Sequence, residues 1–179
     1  MDTDTFRAAT AADIPALVTL VTSAYRGDVS KQGWTTEADM LEGQRIDAEV
    51  LRRDIERPRS RILLVERDDA LLACAHVAEE DGAGYFGMFS VRPDLQGSGM
   101  GKTLLAEAER VAAEEWKLPA MRMTVIDIRE ELIDFYVRRG YRRTGIKTPF
   151  PYGDERYGIP KRDDLRFEIL EKPLDGARA

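Results

Sequence analysis

A glycine-rich stretch in the middle of the chain lies between a strand-like run, 85–91, and a strongly helical run, 102–116. Gly97, Gly99 and Gly101 alternate with other residues in this stretch. A glycine-rich turn that opens a helix presents several unpaired backbone N–H groups to one point, and the helix dipole adds partial positive charge there. Glycine lets the backbone approach a ligand closely and adopt a positive φ. The stretch therefore predicts a strand–turn–helix unit with a phosphate or pyrophosphate site at the start of the helix.

Two common phosphate-binding loops do not fit the spacing of these glycines. The Walker A loop ends in Gly-Lys-Ser/Thr, which Gly101–Thr103 supplies, but its first glycine would fall on Gln96. The dinucleotide fingerprint Gly-x-Gly-x-x-Gly fails because Gly97, Gly99 and Gly101 occupy every second position. The spacing disfavours a P-loop nucleotide-binding protein. It leaves the pattern Gln-x-x-Gly-x-Gly, formed by Gln96, Gly99 and Gly101.

This pattern, together with the preceding Ser90–Pro93 step, resembles the pyrophosphate loop of the GNAT superfamily of N-acetyltransferases. The resemblance implies acetyl-coenzyme A (acetyl-CoA) as the cofactor. It also implies that the pantetheine arm lies alongside the strand before the loop, where a backbone N–H stabilises the negative charge that develops on the carbonyl oxygen. Gly87 in that strand predicts a bulge or a close backbone approach. The residues implied to contact the coenzyme here are Phe89, Ser90, Val91, Gln96, Gly97, Ser98, Gly99, Met100, Gly101, Lys102 and Thr103.

A second stretch, 132–141, resembles the other signature of the family, a helix that ends in Tyr-x-x-x-Gly-Phe/Tyr. The resemblance gives Tyr136 the role of the acid that protonates the leaving thiolate, and it places Phe135 and Tyr136 beside the coenzyme. A phenol with an ordinary pKa of about 10 stays protonated at neutral pH and can donate that proton. The alternative is that Tyr136 only forms part of an apolar helix face. Arg129 stands where many family members have Asn, and we expect it either to contact the coenzyme or to be a solvated helix start.

The group that takes the proton of the attacking amine is not fixed by the sequence. The strand segment 85–89 has no carboxylate, although family members often have a Glu there. Glu37 is our first candidate for the catalytic base, because it belongs to a Trp-Thr-Thr-Glu cluster with little structural reason for it. Water leading to bulk solvent is an equal alternative. The other candidate side chains are His76, Glu79, Glu80 and Asp127.

The resemblance implies that the loop between the first two helices covers the acceptor site. Trp34 would be an apolar wall of that site, and a core plug is an equal alternative for its ring. The predicted substrate contacts are Trp34, Thr35, Glu37 and Arg45. A long loop, 149–161, would close the other side of the site, pack on its own chain or form a dimer contact. Its aromatic residues are Phe150, Tyr152 and Tyr157.

Hydrophobic periodicity and turn residues predict a single α/β (α+β) domain with a mixed sheet. The resemblance implies the GNAT arrangement, a mostly antiparallel sheet flanked by helices. It gives one N-acetyltransferase domain over 1–174 and a frayed tail over 175–179. Thr10 is the expected N-cap of the first helix, which follows a first strand and continues to Tyr25. The other predicted helices are 47–57, 102–116 and 130–139, and the later strands are 61–66, 71–79, 85–91, 121–128, 141–147 and 165–172.

The composition limits the class of protein and its partners. The 179 residues are 43% hydrophobic and 34% charged, which is typical of a soluble globular chain. No apolar run approaches the ~18 residues that span a bilayer, so no membrane partner is expected. The net charge of −6 disfavours nucleic acid and mildly favours a cationic or neutral small substrate. The single cysteine, Cys74, excludes an intrachain disulfide, suits the cytoplasm and is predicted to be a core residue; no metal is expected.

These patterns lead to one main hypothesis and one alternative. The first is an acetyl-CoA-dependent N-acetyltransferase that moves an acetyl group by direct transfer to a primary amine of a small molecule or peptide. The alternative is a non-catalytic acyl-CoA-binding sensor on the same fold. The identity of the acceptor and the oligomeric state stay open, a homodimer included.

Overall fold

The computed structural model describes residues 4–26, 37–38, 40–42, 46–96, 98–152 and 159–174. A π-helical segment, Val111–Glu115, continues the helix after the glycine loop, so the predicted helix 102–116 is α-helical only in its first part. The helices are α1 (Ile14–Tyr25), α2 (Ala48–Glu56), α3 (Met100–Arg110) and α4 (Glu130–Val137). The strands are β1 (Thr5–Ala8), β2 (Leu41–Glu42), β3 (Ser60–Arg67), β4 (Ala70–Glu80), β5 (Ala83–Val91), β6 (Ala120–Ile126), β7 (Arg142–Pro149), β8 (Ile159–Pro160) and β9 (Arg166–Pro173).

Seven strands form one sheet in the order β1-β3-β4-β5-β6-β9-β7. Neighbouring strands of this described sheet run antiparallel except for β5 and β6, which run parallel. A parallel pair needs a crossover connection, and α3 with its π-helical segment provides it. The predicted α/β domain with a mixed, mostly antiparallel sheet is therefore confirmed.

Strands β2 and β8 form a separate two-stranded sheet that was not predicted. Leu41 pairs with Pro160, and Glu42 pairs with Ile159. The sequence analysis treated both segments as irregular loops, which was wrong for these residues. A strand of two residues is too short to give a periodic pattern, and its partner lies far away in the sequence. The pairing joins the loop after α1 to the long loop before β9.

Thr10, the expected N-cap of the first helix, is the N-cap of a short 3-10 turn before it, and Asp13 is the N-cap of α1. The backbone N–H of Thr10 donates to the Asp13 carboxylate at 2.8 Å, and the Asp13 N–H donates back to the Thr10 carbonyl at 2.9 Å. A short 3-10 turn, Ala11–Asp13, leads into the helix, whose buried face includes Leu17 and Val21. Among the described residues, no helix combines the length and the apolar character of a membrane span.

The sheet carries an apolar core on each face. The first core, under α3 and α4, includes Phe86, Leu104 and Tyr136. The second core, under α1 and α2, includes Leu17 and Cys74. Cys74 is fully buried, which confirms the prediction that it is a core residue. The two cores lie on opposite sides of β4 and β5, and the sheet separates them.

The two central strands part from each other soon after they pair. Gly84 of β5 pairs with Met121, and Tyr85 pairs with Arg122, which is the extent of the described β5–β6 ladder. Beyond these residues β5 stays paired with β4, whereas β6 stays paired with β9. The result is an opening in the middle of the sheet, bordered by 86–91 on one side and 123–126 on the other. We call this opening the splay.

Candidate active site

A β-bulge interrupts β5 beside the splay. The register of the β4–β5 ladder shifts between Cys74 and His76, so Met88 and Phe89 lie opposite a single β4 residue. Met88 adopts a φ of 52°, in the left-handed region that strand residues avoid. Such a bulge takes one residue out of the ladder and turns the strand locally. The sequence predicts the irregularity at Gly87, and the structure centres it on the two residues that follow.

Gly87 makes room for the side chain of Tyr85. A Cβ atom on Gly87 would lie 2.3 Å from the Tyr85 hydroxyl oxygen, which is far too close for any side chain. The phenol of Tyr85 therefore lies across the strand at Gly87, and its hydroxyl lies next to the bulge. The close approach predicted at this glycine is made by a side chain of the same strand.

The glycine loop is tied to the end of β5 and opens α3. The Gln96 side chain donates from Nε2 to the Val91 carbonyl at 3.1 Å. Gly99 is the N-cap of α3 with a φ of 88°, a left-handed conformation that glycine adopts without strain. The first hydrogen bond at this end of the helix runs from the Thr103 N–H to the Gly99 carbonyl at 3.1 Å. The N–H groups that precede it point out of the helix end, as in an anion site.

Gly101 lets this helix start approach β5 closely. A Cβ atom on Gly101 would lie 2.6 Å from the tip of the Phe89 ring. The third glycine of the motif is therefore needed for packing of the helix against the strand, whereas the second is needed for its backbone conformation.

A cavity of about 470 Å³ lies between the glycine loop and α4. We call it the α3–α4 cavity. It brings together two of the three predicted strand residues, much of the predicted loop and one predicted α4 residue. It also contains two residues of α4 and two residues just after it that the sequence analysis did not single out. Its lining residues are Phe89, Val91, Gln96, Gly99, Gly101, Lys102, Glu131, Asp134, Phe135, Arg138 and Arg139.

Several predicted coenzyme contacts lie elsewhere. Ser90 is fully buried, and its hydroxyl donates to the Met88 carbonyl at 3.1 Å. Ser98, Met100 and Thr103 line a neighbouring cavity on the side of β1, with a volume of about 620 Å³. Gly97 lies outside the described residues. The α3–α4 cavity therefore contains one side of the predicted loop.

Two arginines of the α3–α4 cavity were missed by the sequence analysis. The Arg139 guanidinium stacks 3.7 Å from the centre of the Phe135 ring, and its Nη1 donates to the Phe135 carbonyl at 2.8 Å. Its Nε is buried and has no hydrogen-bond partner among the described residues. Burial, and then the neighbouring Arg138, lower the pKa of Arg139. The only sign of these arginines in the sequence is the Arg-Arg pair before Gly140. By itself this pair indicates an ordinary helix end.

Tyr136 is buried in the first core, among the aromatic rings of β5 and α4. Its ring lies 6.2 Å from that of Phe86 and 5.4 Å from that of Phe135. Burial raises the pKa of Tyr136 well above its ordinary value, the neighbours Tyr25 and Tyr85 add to this, and Arg129 opposes them. These neighbours come from the opposite side of the sheet and from the start of α4. The ring is therefore packed in the core, as the alternative of an apolar helix face predicts, and the acid role of Tyr136 stays a prediction.

Glu37 and Arg129 form a buried ion pair that the sequence analysis did not predict. Nη1 of Arg129 donates to the Glu37 carboxylate at 3.0 Å, and Arg26 pairs with its other oxygen. The side chains of all three are less than a tenth exposed. The alternative of a solvated helix start was therefore wrong for Arg129, which caps α4 with its backbone. Glu37 is fixed further by its N–H, which donates to the Tyr25 carbonyl at 2.9 Å.

The remaining candidates for the base are mostly engaged in surface ion pairs. Glu79 pairs with Arg59, and Glu80 pairs with Arg57 at 3.3 Å. Asp127 accepts hydrogen bonds from Lys147 and Arg166, on the β6–β9 side of the sheet. His76 is buried and lines a cavity. The predicted substrate contacts Trp34, Thr35 and Arg45 lie outside the described residues.

Two cavities lie beside the splay on the side of α1 and α2, and both include Tyr85 and Thr124. The loop cavity has a volume of about 520 Å³, and the α2 cavity has a volume of about 420 Å³. The loop cavity is lined by Arg26, Glu37, Leu41, Tyr85, Thr124, Ile126, Pro149, Phe150, Pro151 and Phe167. The α2 cavity is lined by Ile46, Asp47, Val50, Leu51, Asp54, Arg57, His76, Glu80, Tyr85, Met88 and Thr124.

The described part of the aromatic loop before β9 packs on its own chain. Phe150 is buried in a small core with Leu41, Ile126 and Leu165. Tyr152 is partly exposed; its hydroxyl donates to the Arg162 carbonyl at 3.1 Å and accepts from the Leu165 N–H at 2.8 Å. Tyr157 and Asp154 lie outside the described residues. Packing on its own chain, one of the predicted alternatives, thus holds for Phe150.

The chain matches a known family over most of its length. Residues 26–150 match the model of the acetyltransferase (GNAT) domain. Because this match covers well over half of the chain, the protein belongs to the GNAT acetyltransferase family. This confirms the resemblance drawn from the glycine loop and the Tyr136 motif. A comparison with the sequences of curated proteins finds no match.

Solved structures of acetyltransferases share the fold at low sequence identity. An N-acetyltransferase from Staphylococcus aureus Mu50 has a TM-score of 0.72 at 10% identity, covering 96% of this chain and 98% of that one. The ribosomal-protein-S18-alanine N-acetyltransferase from Escherichia coli has a TM-score of 0.70 at 14% identity, covering 96% and 94%. A ribosomal-protein-alanine N-acetyltransferase from Brucella melitensis has a TM-score of 0.70 at 21% identity, covering 95% and 99%. At such identities the similarity establishes the fold.

Proposed function

We propose that the protein is an acetyl-CoA-dependent N-acetyltransferase that transfers an acetyl group directly to a primary amine of a small molecule or peptide. The observation that carries this proposal is one continuous arrangement. A helix start that presents N–H groups, a cavity with two arginines and a lysine, and a buried phenol all adjoin the same bulged strand. The predictions of one domain over 1–174, a cytoplasmic compartment and an open oligomeric state accompany the proposal.

The α3–α4 cavity fits a coenzyme diphosphate. The start of α3 offers N–H groups, and Lys102, Arg138 and Arg139 contribute three positive charges against the carboxylates of Glu131 and Asp134. The buried Nε of Arg139, which has no partner among the described residues, would gain one from a phosphate oxygen. A Cβ atom on Gly99 would meet nothing within 4 Å, so the loop leaves open space for a ligand there. When bound, acetyl-CoA supplies an acetyl group activated as a thioester.

The free edge of β5 would hold the pantetheine arm. Beyond Tyr85 this edge has no pairing with β6 in the described ladder, so an extended ligand can lie along Phe89–Val91. The carbonyls of Phe89 and Val91 already accept from Tyr25 and Gln96, so backbone N–H groups would be the main donors to the ligand. The bulge at Met88 and Phe89 turns backbone groups out of the β4–β5 ladder. One of these N–H groups would donate to the carbonyl oxygen as it gains negative charge.

Tyr136 would act as the general acid. Its raised pKa keeps the hydroxyl protonated throughout the neutral and mildly alkaline range, so it can donate to a sulfur that gains negative charge. Its buried ring, packed against Phe86 and Phe135, holds that hydroxyl in place without a flexible arm.

Glu37 is better suited to positioning than to proton transfer. Its two carboxylate oxygens already accept from Arg26 and Arg129, and the side chain is buried. We propose that Glu37 joins the loop after α1 to the start of α4, and so fixes the acceptor side relative to Tyr136. The proton of the amine would then leave through water in the loop cavity, the alternative that the sequence analysis left open.

The sensor alternative predicts a different result in the same assay. The purified protein is incubated with acetyl-CoA and panels of small amines and peptide N-termini, and thiol release is recorded with acetylated product by mass spectrometry. The proposal predicts stoichiometric thiol and N-acetylated product for at least one amine. Tight coenzyme binding without product from any amine would favour the sensor. Absence of coenzyme binding would contradict both functions.

A further inference from the structure

His76 is held in one tautomer by two hydrogen bonds on the wall of the α2 cavity. Nε2 of His76 lies 2.8 Å from the Ser60 hydroxyl oxygen, and that hydroxyl donates its hydrogen to the Asp54 carbonyl at 2.6 Å. A hydroxyl has a single hydrogen, so the Ser60 oxygen must accept from the imidazole. Nε2 therefore carries the proton of the neutral ring, and Nδ1 carries a lone pair.

This lone pair faces another acceptor. Nδ1 of His76 lies 3.8 Å from Oδ2 of Asp54, which is too long for a hydrogen bond between them. The side chain of His76 is 7% exposed, and both residues line the α2 cavity. Nδ1 and the carboxylate oxygen are both hydrogen-bond acceptors. A ligand group that donates a hydrogen bond to each of them would stabilise this arrangement. An ammonium group, with several N–H donors on one nitrogen, has the required chemistry.

The rest of the α2 cavity has the charge that a cation needs. Asp47, Asp54 and Glu80 contribute three carboxylates against the one guanidinium of Arg57, a formal excess of two negative charges. Arg57 is already paired, with Asp54 at 3.4 Å and with Glu80 at 3.3 Å. The described residues contain no group of three or more His, Cys, Asp or Glu side chains able to hold a metal ion. The negative charge of the lining residues favours a cationic group in this cavity.

The cavity also adjoins the proposed reaction centre. Met88 of the bulge and Tyr85 beside it are among its lining residues, as are the apolar side chains of Ile46, Val50 and Leu51. These apolar residues would cover a methylene chain between two amines. A substrate with one amine at the splay would thus extend a second one toward His76 and Asp54.

We propose that the α2 cavity binds a second cationic group of the acceptor, an alkylammonium that donates to Nδ1 of His76 and to the Asp54 carboxylate. This inference rests on the proposed acetyl transfer and narrows its substrate class to diamines and related amines with two cationic groups. His76 is then a residue that determines specificity, and it takes no part in the transfer of the acetyl group.

The charge state of the imidazole agrees with this role. Burial lowers the pKa of His76 to about 4, Asp54 opposes this, and Arg57 adds to it. The ring is therefore neutral across the neutral range and can accept a hydrogen bond. The ring is faced by charged and polar residues from three neighbouring elements. They are Asp54 and Arg57 of the α2 region, Ser60 of β3 and Tyr85 of β5.

A titration of the wild-type protein tests the contact directly. His76 is the only histidine of the sequence, so its imidazole nitrogen-15 signals need no assignment. With coenzyme A present, 1,4-diaminobutane is expected to shift the Nδ1 signal in a saturable way, and butan-1-amine at the same concentration is expected not to. An Nδ1 signal that stays unmoved at saturating diamine, or that moves equally with both amines, would overturn the proposal.

A pair of matched variants tests the role of Asp54 in the substrate preference. Asp54→Asn removes the charged acceptor, whereas Asp47→Asn removes a charge from the same cavity wall and keeps a good helix N-cap. The ratio of kcat/KM for diamine to that for monoamine is expected to fall about tenfold in Asp54→Asn, and to fall clearly less in Asp47→Asn, because Asp54 is the carboxylate beside His76. Equal falls in both variants would mean a diffuse charge effect and would overturn the inference.

The outcomes separate this inference from the proposed function. Acetylation of monoamines and diamines at equal efficiency, with no response of His76, would reject the second-cation site and leave acetyl transfer intact. A protein that binds coenzyme and acetylates no amine would reject the transferase proposal. The change in the His76 Nδ1 signal on addition of diamine can be measured in either case, because it does not depend on turnover.

Discussion

A single phenol, that of Tyr136, belongs both to the apolar core and to the proposed site. Its ring contacts the aromatic residues of β5 and α4, while its hydroxyl is influenced by Tyr25 and Tyr85 from the other side of the sheet. Burial raises its pKa, so the environment that packs the ring also keeps the proton on the oxygen. Packing and acid chemistry are consequences of the same surroundings.

Removal of the Tyr136 hydroxyl should affect turnover and leave the fold intact. We expect Tyr136→Phe to lower kcat about a hundredfold or more and to keep the affinity for acetyl-CoA, because the ring and its contacts remain. Steady-state kinetics and calorimetry measure the two effects. Tyr141→Phe is the matched control, since Tyr141 is a buried neighbour whose hydroxyl bonds to Glu109 instead. Equal losses of kcat in both variants would argue against an acid role.

Two elements distant in sequence are joined through Glu37. The loop after α1 carries this carboxylate, and Arg129 at the start of α4 pairs with it inside the protein. The pairing of β2 with β8 joins the same region to the loop before β9. The loop cavity lies among these elements, so its shape depends on contacts between residues that are far apart in the sequence.

Glu37→Gln separates a positioning role from a base. Glu37 is the partner of two buried arginines. Removal of its charge should therefore lower the free energy of unfolding by on the order of 3 kcal/mol. Urea unfolding measures this. Glu80→Gln, at a half-exposed ion pair, is the control and should cost less than about 1 kcal/mol. A Glu37→Gln protein with wild-type stability and a hundredfold lower kcat would instead support Glu37 as the catalytic base.

For the whole molecule, the buried His76 makes the free energy of unfolding depend on pH in the acid range. The unfolded chain protonates this residue near 6.5, whereas the folded state does so near a pKa of about 4. The unfolded state thus binds more protons between these values, and stability falls as pH drops through that window, by on the order of 3 kcal/mol in total. Arg143 and Lys147 hold the pKa of Glu168 at about 2, although burial acts to raise it. Protonation of Glu168 therefore lowers the free energy of unfolding further below pH 4.5.

Unfolding measurements between pH 4 and 7 check this window. The free energy of unfolding of the wild type should decline from pH 6.5 downward, and that of His76→Gln should stay nearly constant until the carboxylates titrate. A wild-type curve that is flat over this range, or a variant curve with the same slope, would show that His76 is not the titrating group.

Local patterns predicted the features that depend on neighbouring residues. The glycine loop, the order of the main elements and the Tyr136 helix follow from turn chemistry and periodicity within short windows. The stacking of Arg139 on Phe135, the pairing of Arg129 with Glu37 and the tautomer of His76 depend on contacts between distant segments. A charge pattern in the sequence does not fix such contacts, because the same arginine suits a solvated surface equally well.

The central claim is that the N–H groups at the start of α3 bind the coenzyme diphosphate, and a pair of isosteric variants at Gly99 tests it most directly. Asn and Asp both tolerate its left-handed φ of 88°, and the open space accepts either side chain, so the two differ in charge alone. Both side chains take up the same space in the cavity, so calorimetry with acetyl-CoA should give Gly99→Asp an affinity at least about tenfold weaker than that of Gly99→Asn. Equal affinities for the two variants would place the diphosphate elsewhere and contradict the account.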